Sequence, residues 1–194
     1  MEKYLLAGQW QQVDEFLSQA RLKVKSLGLW APHLPESIGG TYTGLVDLAL
    51  FSEILGQSPL GHVTFGCQAP DAGNAELLHL HGTEQQVNDW LKPLAAGKIR
   101  SCFAMTEPHT AGSNPTLLDS TAELDGDQWV INGRKWFTTS ADGADFTVAM
   151  VITDKEAEKY SRASMIIVPL DNPGYRLVRN IPVMGHQGRG YFSH

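Results

Sequence analysis

The chain predicts an α+β protein of two domains: an N-terminal α-helical bundle over residues 1–98, followed by an antiparallel β-barrel or sandwich over residues 99–194. Three observations predict it. Up to Lys98 the apolar residues recur with the 3.6-residue period of helices. After Ile99 the period becomes 2, in short β-branched runs bounded by turn residues. No helical segment separates those runs, which is the order of an α+β chain and not of a βαβ array.

Between Gln9 and Leu27, the residues Val13, Phe16, Leu17, Ala20, Val24 and Leu27 lie at offsets of 3, 4, 7, 11 and 14 from the first, one stripe of a helix that Gly28 stops. Leu29 to Gly44 holds two prolines and three glycines and reads as a loop. Leu45, Leu48, Ala49 and Ser52, with Leu55 behind them, start a second helix ending at Gly56. The Gly56-Gln57-Ser58 that follows is no nucleophile elbow, because Leu60 stands where the second glycine is needed. A third helix runs from about Pro70 to His81 and ends at Gly82. Thr83-Glu84-Gln85-Gln86 is a capping box for a fourth, with Val87, Trp90, Leu91 and Leu94 facing inward and Pro93 and Gly97 closing it. These stripes account for themselves as bundle core and need no cofactor.

Strands are expected at Thr116 to Leu124 and Gln128 to Asn132, joined by the hairpin signal Asp125-Gly126-Asp127. Asp145 to Thr153 and Ala163 to Leu170 are two more, separated by a charged loop, and Asn172-Pro173-Gly174 turns the chain into Tyr175 to Arg179.

The net charge of −6, with no cluster of Lys and Arg, excludes a nucleic-acid partner. His79 and His81 lie two apart on a helix and point to different sides, and none of the seven histidines has ligand spacing, so no metal is expected. The two cysteines, Cys67 and Cys102, fit buried thiols of a reducing compartment, a disulfide being the lesser alternative. Met1 to Gln12 shows no secretory leader, and no run of about 18 apolar residues predicts a membrane span. The expected setting is cytoplasmic, or an organellar matrix in a eukaryote.

Function concentrates in Cys102 to Asn114, CFAMTEPHTAGSN. Glu107-Pro108 stops an apolar strand, and Ala111, Gly112 and Ser113 form a small-residue turn whose amides can make an anion nest. The Thr106 and Ser113 hydroxyls add donors on either side. Trp136-Phe137-Thr138-Thr139 repeats the pairing of aromatic faces with hydroxyls about 30 residues later, a combination suited to a flat heterocycle with a phosphate tail. Taken singly, each segment is also an ordinary strand exit or β-prone run.

The stretch CFAMTEPHTAGSN, followed by VINGRKWFTTSADGAD from Val130 to Asp145, resembles the acyl-CoA dehydrogenase family, whose flavin signatures run T-E-P-x-A-G-S-D and I-N-G-x-K-x-W-I-T. Pro35 to Gly40 and Ala69 to Arg100 are similar to that family too. The resemblance implies FAD as cofactor, α,β-dehydrogenation of an acyl-CoA thioester in fatty-acid β-oxidation, electron transfer to an electron-transfer flavoprotein or similar acceptor, and a homo-oligomer when complete. It implies that Phe103 and Met105 lie against the isoalloxazine, that Thr106 bonds its pyrimidine side, and that Gly112 and Ser113 meet the pyrophosphate, with Ser113 also near the thioester. Phe137 would stack on the flavin and Thr139 donate towards N5, with Thr138 in the same cofactor-binding segment.

Three departures stand out. His109-Thr110 lengthens the loop by one residue, Asn114 replaces the usual Asp, and Phe137 replaces Trp, which keeps a stacking face and loses the indole N–H. The family's catalytic glutamate lies in a C-terminal helical domain that the resemblance places beyond His194, so no catalytic residue is assigned and the isolated chain is expected to be inactive. Glu107 reads as a strand-exit residue. A related acyl-CoA oxidase or flavin monooxygenase, or a non-catalytic remnant of the scaffold, are the alternatives.

Overall fold

A computed structural model describes residues 9–183. The expectations for the first eight residues and for the end of the chain after Val183 lie outside the described residues. Two compact units divide between Ile99 and Arg100.

The first unit is helical. Helix α1 (Trp10–Ser26) buries Val13, Leu17 and Val24, while Phe16 and Leu27 of the expected stripe stay exposed. Helix α2 (Leu45–Leu55) turns Leu55 into the core, with Leu48, Phe51 and Ser52 half-buried on the same side; Leu45 and Ala49, counted in the expected stripe, are exposed. A short helix that the sequence did not announce, α3 (Gly61–Phe65), follows. Arg21 Nε donates to Val63 O at 3.2 Å and ties α1 to α3. Helix α4 (Asp71–His81) buries Asn74, Ala75 and Leu78.

The capping box opens α5 (Glu84–Gln86) with both of its hydrogen bonds: Gln86 N–H donates to Thr83 Oγ1 at 3.2 Å, and Thr83 N–H donates to Gln86 Oε1 at 2.9 Å. A π-turn over Val87–Leu91 then passes directly into α6 (Lys92–Ala95). Pro93 therefore does not close this helix. It stands inside the continuous helical run, directly after the π-turn, and Gly97 at φ +68° makes the actual stop.

The loop between α1 and α2 carries much of this unit's core. Trp30, Ala31 and Leu34 are buried there, and Ala31 N–H donates to Phe65 O at 2.9 Å. The Trp30 indole N–H donates to Ala95 O at 2.7 Å, and Lys25 Nζ lies 4.3 Å from the ring centroid.

Among its described residues the second unit holds one mixed sheet of five strands: β1 (Ser101–Ala104), β2 (Thr121–Asp125), β3 (Gln128–Asn132), β4 (Phe146–Ile152) and β5 (Ala163–Pro169). The antiparallel barrel or sandwich is corrected here. β4 pairs antiparallel with β5 along its whole length and parallel with β1, Ser101 opposite Phe146. β2 meets β4 in parallel at Thr121 and Ile152, and only β2–β3 forms the expected hairpin, with Gly126 at φ +63° in its turn. Alternation reveals that a strand exists and says nothing of its direction. The parallel pair is possible because the chain leaves β1, makes the whole excursion from Met105 to Asp145, and returns.

Two boundaries also move. Thr116 belongs to a 3₁₀ turn (Pro115–Leu117), so β2 starts five residues later than expected. Tyr175 to Arg179 forms no strand; Tyr175 N–H instead turns back to Asn172 O at 2.9 Å. Ala104, Ala122, Ala149 and Val151 form the sheet's apolar cluster, with Ile131, Ile166 and Val168 packed on it. Neither cysteine is in a disulfide; Cys102 is buried in β1 and Cys67 half-buried. No helix among the described residues is long and apolar enough to cross a membrane, and no group of three His, Cys, Asp or Glu side chains among them could hold a metal.

Candidate functional site

The two motif segments meet. Thr106 leaves the end of β1, and Trp136 follows the hairpin; Thr106 Oγ1 donates to Trp136 O at 2.6 Å while Trp136 N–H donates to Thr106 O at 3.0 Å. The Thr106 hydroxyl proton is thus committed inward, so toward a ligand this oxygen offers a lone pair and not the expected donor.

Phe103 is the third residue of β1, opposite Val148, and is half-buried, as is Met105 just beyond the strand. The loop that follows folds back: Asn114 N–H donates to Ala111 O at 2.9 Å, and a Cβ on Gly112 would lie 3.4 Å from Thr106 Cγ2. Gly112 and Ser113 are exposed, and among the described residues their amides have no hydrogen-bond partner. Those are the groups an anion nest needs. Asn114 caps the 3₁₀ turn, its Oδ1 accepting from Thr116 N at 3.2 Å and Thr116 Oγ1 at 2.6 Å, so the departure from Asp keeps the acceptor.

On the second segment Trp136 and Phe137 are exposed aromatic rings with centroids 4.8 Å apart. Phe137 has φ +50°, a region costly for an aromatic residue and one that collects at ligand-binding positions. Thr139 N–H donates to Phe137 O at 3.1 Å and Ala141 N–H to Thr138 O at 3.1 Å, so Thr138 and Thr139 stand in consecutive tight turns. Ser140, also at positive φ (69°), is fully buried, and its Oγ accepts from Arg100 Nη2 at 3.0 Å.

Three residues that hold this arrangement escaped the sequence reading: Lys135, Arg100 and Ser140. Glu107 did not escape it, but it is far more than a strand exit. It is 3% exposed, and its carboxylate accepts from Asp119 N at 2.6 Å, Ser120 N at 2.9 Å and Lys135 Nζ at 2.7 Å. Burial alone would raise its pKa; the hydrogen bonds from Lys135 and from the two amides outweigh that and hold it down at about 2. Burial depresses the Lys135 pKa, and Glu107 works against the shift. A carboxylate so paired is a structural anion and no base at neutral pH. The available signal was the complementary charge, one residue past Thr106 and one before Trp136.

Gly133 brings the hairpin exit against this cluster. A Cβ there would collide with the Ser120 side chain and stand 2.9 Å from its Cα. Gly133→Ala is expected to lower stability by about 1–3 kcal/mol, the scale of overpacking, by displacing Ser120 from Glu107. A melting temperature unchanged in the variant would show that this approach is not rigid.

The comparisons with known proteins agree with the residues. The family model for the acyl-CoA dehydrogenase N-terminal domain matches residues 1–98, and that for the middle domain matches residues 102–193. The chain belongs to the acyl-CoA dehydrogenase family. It is 43% identical over 173 residues to acyl-CoA dehydrogenase family member 11 of Gallus gallus, covering 88% of this chain and 22% of that protein. A solved acyl-CoA dehydrogenase structure from Mycobacterium abscessus superposes with a TM-score of 0.87 at 39% identity, over 91% of this chain and 44% of that one. A glutaryl-CoA dehydrogenase from Mycobacterium smegmatis, solved in complex with FADH2, gives 0.71 at 25% identity, over 98% of this chain and 48% of that one. The chain thus spans less than half the length of each of these acyl-CoA dehydrogenase relatives.

Proposed function

We propose that the chain forms the N-terminal helical and flavin-binding middle domains of an FAD-dependent acyl-CoA dehydrogenase, an oxidoreductase that introduces a double bond between Cα and Cβ of an acyl-CoA thioester. The observation that carries this reading is the reciprocal pair between Thr106 and Trp136, which brings the T-E-P and W-F-T-T segments together with exposed rings and unbonded amides beside them.

The residues fit the cofactor. Phe103, Met105 and the Phe137 ring are the apolar and aromatic surface for an isoalloxazine, and the Gly112 and Ser113 amides are donors for a pyrophosphate. FAD, when bound, supplies the hydride acceptor for the substrate's β-hydrogen. With FAD bound, Thr106 would offer its lone pair on the pyrimidine side, Thr139, beside Thr138, would donate towards N5, and Ser113 would lie near the thioester. The electrons then pass to an electron-transfer flavoprotein or a similar acceptor, and the complete protein works as a homo-oligomer.

The test is made on the polypeptide carried to the full length of its relatives. It should purify yellow and reduce an acceptor dye with an acyl-CoA; a colourless protein with no dye reduction would sink the reading, and oxygen consumption in place of dye reduction would turn it into an acyl-CoA oxidase. In the same protein Thr139→Val should slow flavin reduction on the order of tenfold to a hundredfold, the scale of losing one aligned donor, with little change in substrate affinity. An unchanged rate in stopped flow would remove Thr139 from its role.

A further inference from the structure

We propose that the pair of half-buried Lys135 and buried Glu107 is a positioning device for the flavin site, setting the separation of the Met105–Thr106 peptide from the segment that starts at Trp136. The inference rests on the flavin reading above.

The bonding pattern of the pair points to this role. Lys135 Nζ donates to Met105 O at 3.0 Å, Glu107 Oε1 at 2.7 Å and Met150 O at 2.7 Å, so all three ammonium protons are used. Glu107 in turn takes the amides of Asp119 and Ser120. Five hydrogen bonds thereby join four pieces of chain: the exit of β1, the entry to β2, the residue before Trp136, and β4. Met105 is itself one of the positions proposed to face the flavin, Glu107 follows Thr106, and Lys135 precedes Trp136, so a shift at the pair is delivered to both segments within one residue.

Holding the sheet together does not require such a device. Ala104, Ala122, Ala149 and Val151 already form an apolar cluster with Ile131, Ile166 and Val168. Apolar residues of similar volume commonly replace a buried ion pair without loss of stability, because desolvation consumes most of the Coulombic gain. What an apolar pair cannot do is fix a carbonyl at Met105 and another at Met150 at hydrogen-bond length from one atom. The geometry that is lost with the charges is the geometry between the two cofactor segments.

The experiment compares the full-length flavoprotein with the double variant Glu107→Gln/Lys135→Met, which removes both charges together, and with Glu107→Gln alone. The double variant should keep the parent's far-UV circular dichroism and stay folded at the assay temperature, yet bind FAD at least tenfold more weakly and show a displaced visible absorption band where flavin is retained. In the apoprotein, hydrogen exchange at the Trp136 amide should accelerate at least tenfold with global protection unchanged. FAD affinity, flavin spectrum and Trp136 exchange all equal to the parent's would overturn the proposal while leaving the flavin reading intact. Loss of FAD binding only in proportion to loss of global stability would overturn it equally, reducing the pair to a structural one. Should the double variant fail to fold, Glu107→Gln alone, which removes the ion pair and keeps an acceptor for Lys135, decides by the same readouts. A parent that binds no FAD would take down the flavin reading, and this proposal with it.

Discussion

Replacing Glu107 by alanine is expected to cost about 3–5 kcal/mol of stability, the largest effect in the β unit, because it leaves a half-buried ammonium without its counter-ion and two amides without their acceptor at once. Lys135 is 14% exposed and loses its counter-ion, and the Asp119 and Ser120 amides lose the acceptor that anchors the entry to β2. A loss of that size corresponds to a fall of roughly 6–20 °C in melting temperature for a chain of this length. The same carboxylate sets an acid limit. Its folded pKa of about 2 lies below that of an unfolded glutamate, so its contribution is whole above pH about 4.5 and disappears as the pH falls from there towards 2. Denaturant titrations across that window should show the parent losing stability more steeply than Glu107→Gln, which has no charge to lose. Parallel curves would mean that Glu107 is not ionised in the folded protein, and a Glu107→Ala protein of parental stability would refute the role given to the pair.

Trp30→Ala is expected to cost about 3–5 kcal/mol in the helical unit, the range for truncating a large buried aromatic side chain. Trp30 is buried, and its indole N–H has its partner in Ala95 O. Its ring fills the space between two helix ends. Gly66 at φ +68° and Gly97 at φ +68° both face it, and a Cβ on either would enter the ring's van der Waals envelope. Alanine at position 30 leaves a cavity there and an orphan carbonyl. The converse change, Gly66→Ala, strains the backbone and overpacks the same ring, and should cost at least as much as an ordinary overpacking substitution, about 1–3 kcal/mol. Chemical denaturation of each variant measures both. If Trp30→Ala falls within about 1 kcal/mol of the parent, the ring is not the packing centre that its contacts indicate.

Much of the helical unit was legible because its signals are local. The stop at Gly28, the helix end at Gly56 and the capping box at Thr83 depend on residues within one turn of each other, and the structure places α1, α2 and α5 accordingly. Pro93 was misread because a turn that widens before proline leaves no trace in an apolar pattern. The loop from Leu29 to Gly44 looked like a mere connection, since Pro and Gly declare a break and do not declare that Trp30 and Leu34 beside them enter the core. At the candidate site the residues proposed to face the flavin were singled out through their motifs. The residues that hold those motifs were not, since Lys135, Arg100 and Ser140 act on positions 15 to 40 residues away.

What this chain determined by itself is therefore the inventory: helices first, strands after Ile99, a T-E-P turn, a W-F-T-T segment, and the absence of charge patterns for nucleic acid. Only the tertiary structure decided strand direction, which made the sheet mixed, and the partners of Glu107, which turned a lone acidic residue into half of an ion pair. The physical reason is range. Periodicity and capping are written within a few residues, whereas a hydrogen bond between Thr106 and Trp136 or an ion pair between Glu107 and Lys135 exists only when a whole hairpin has folded between them.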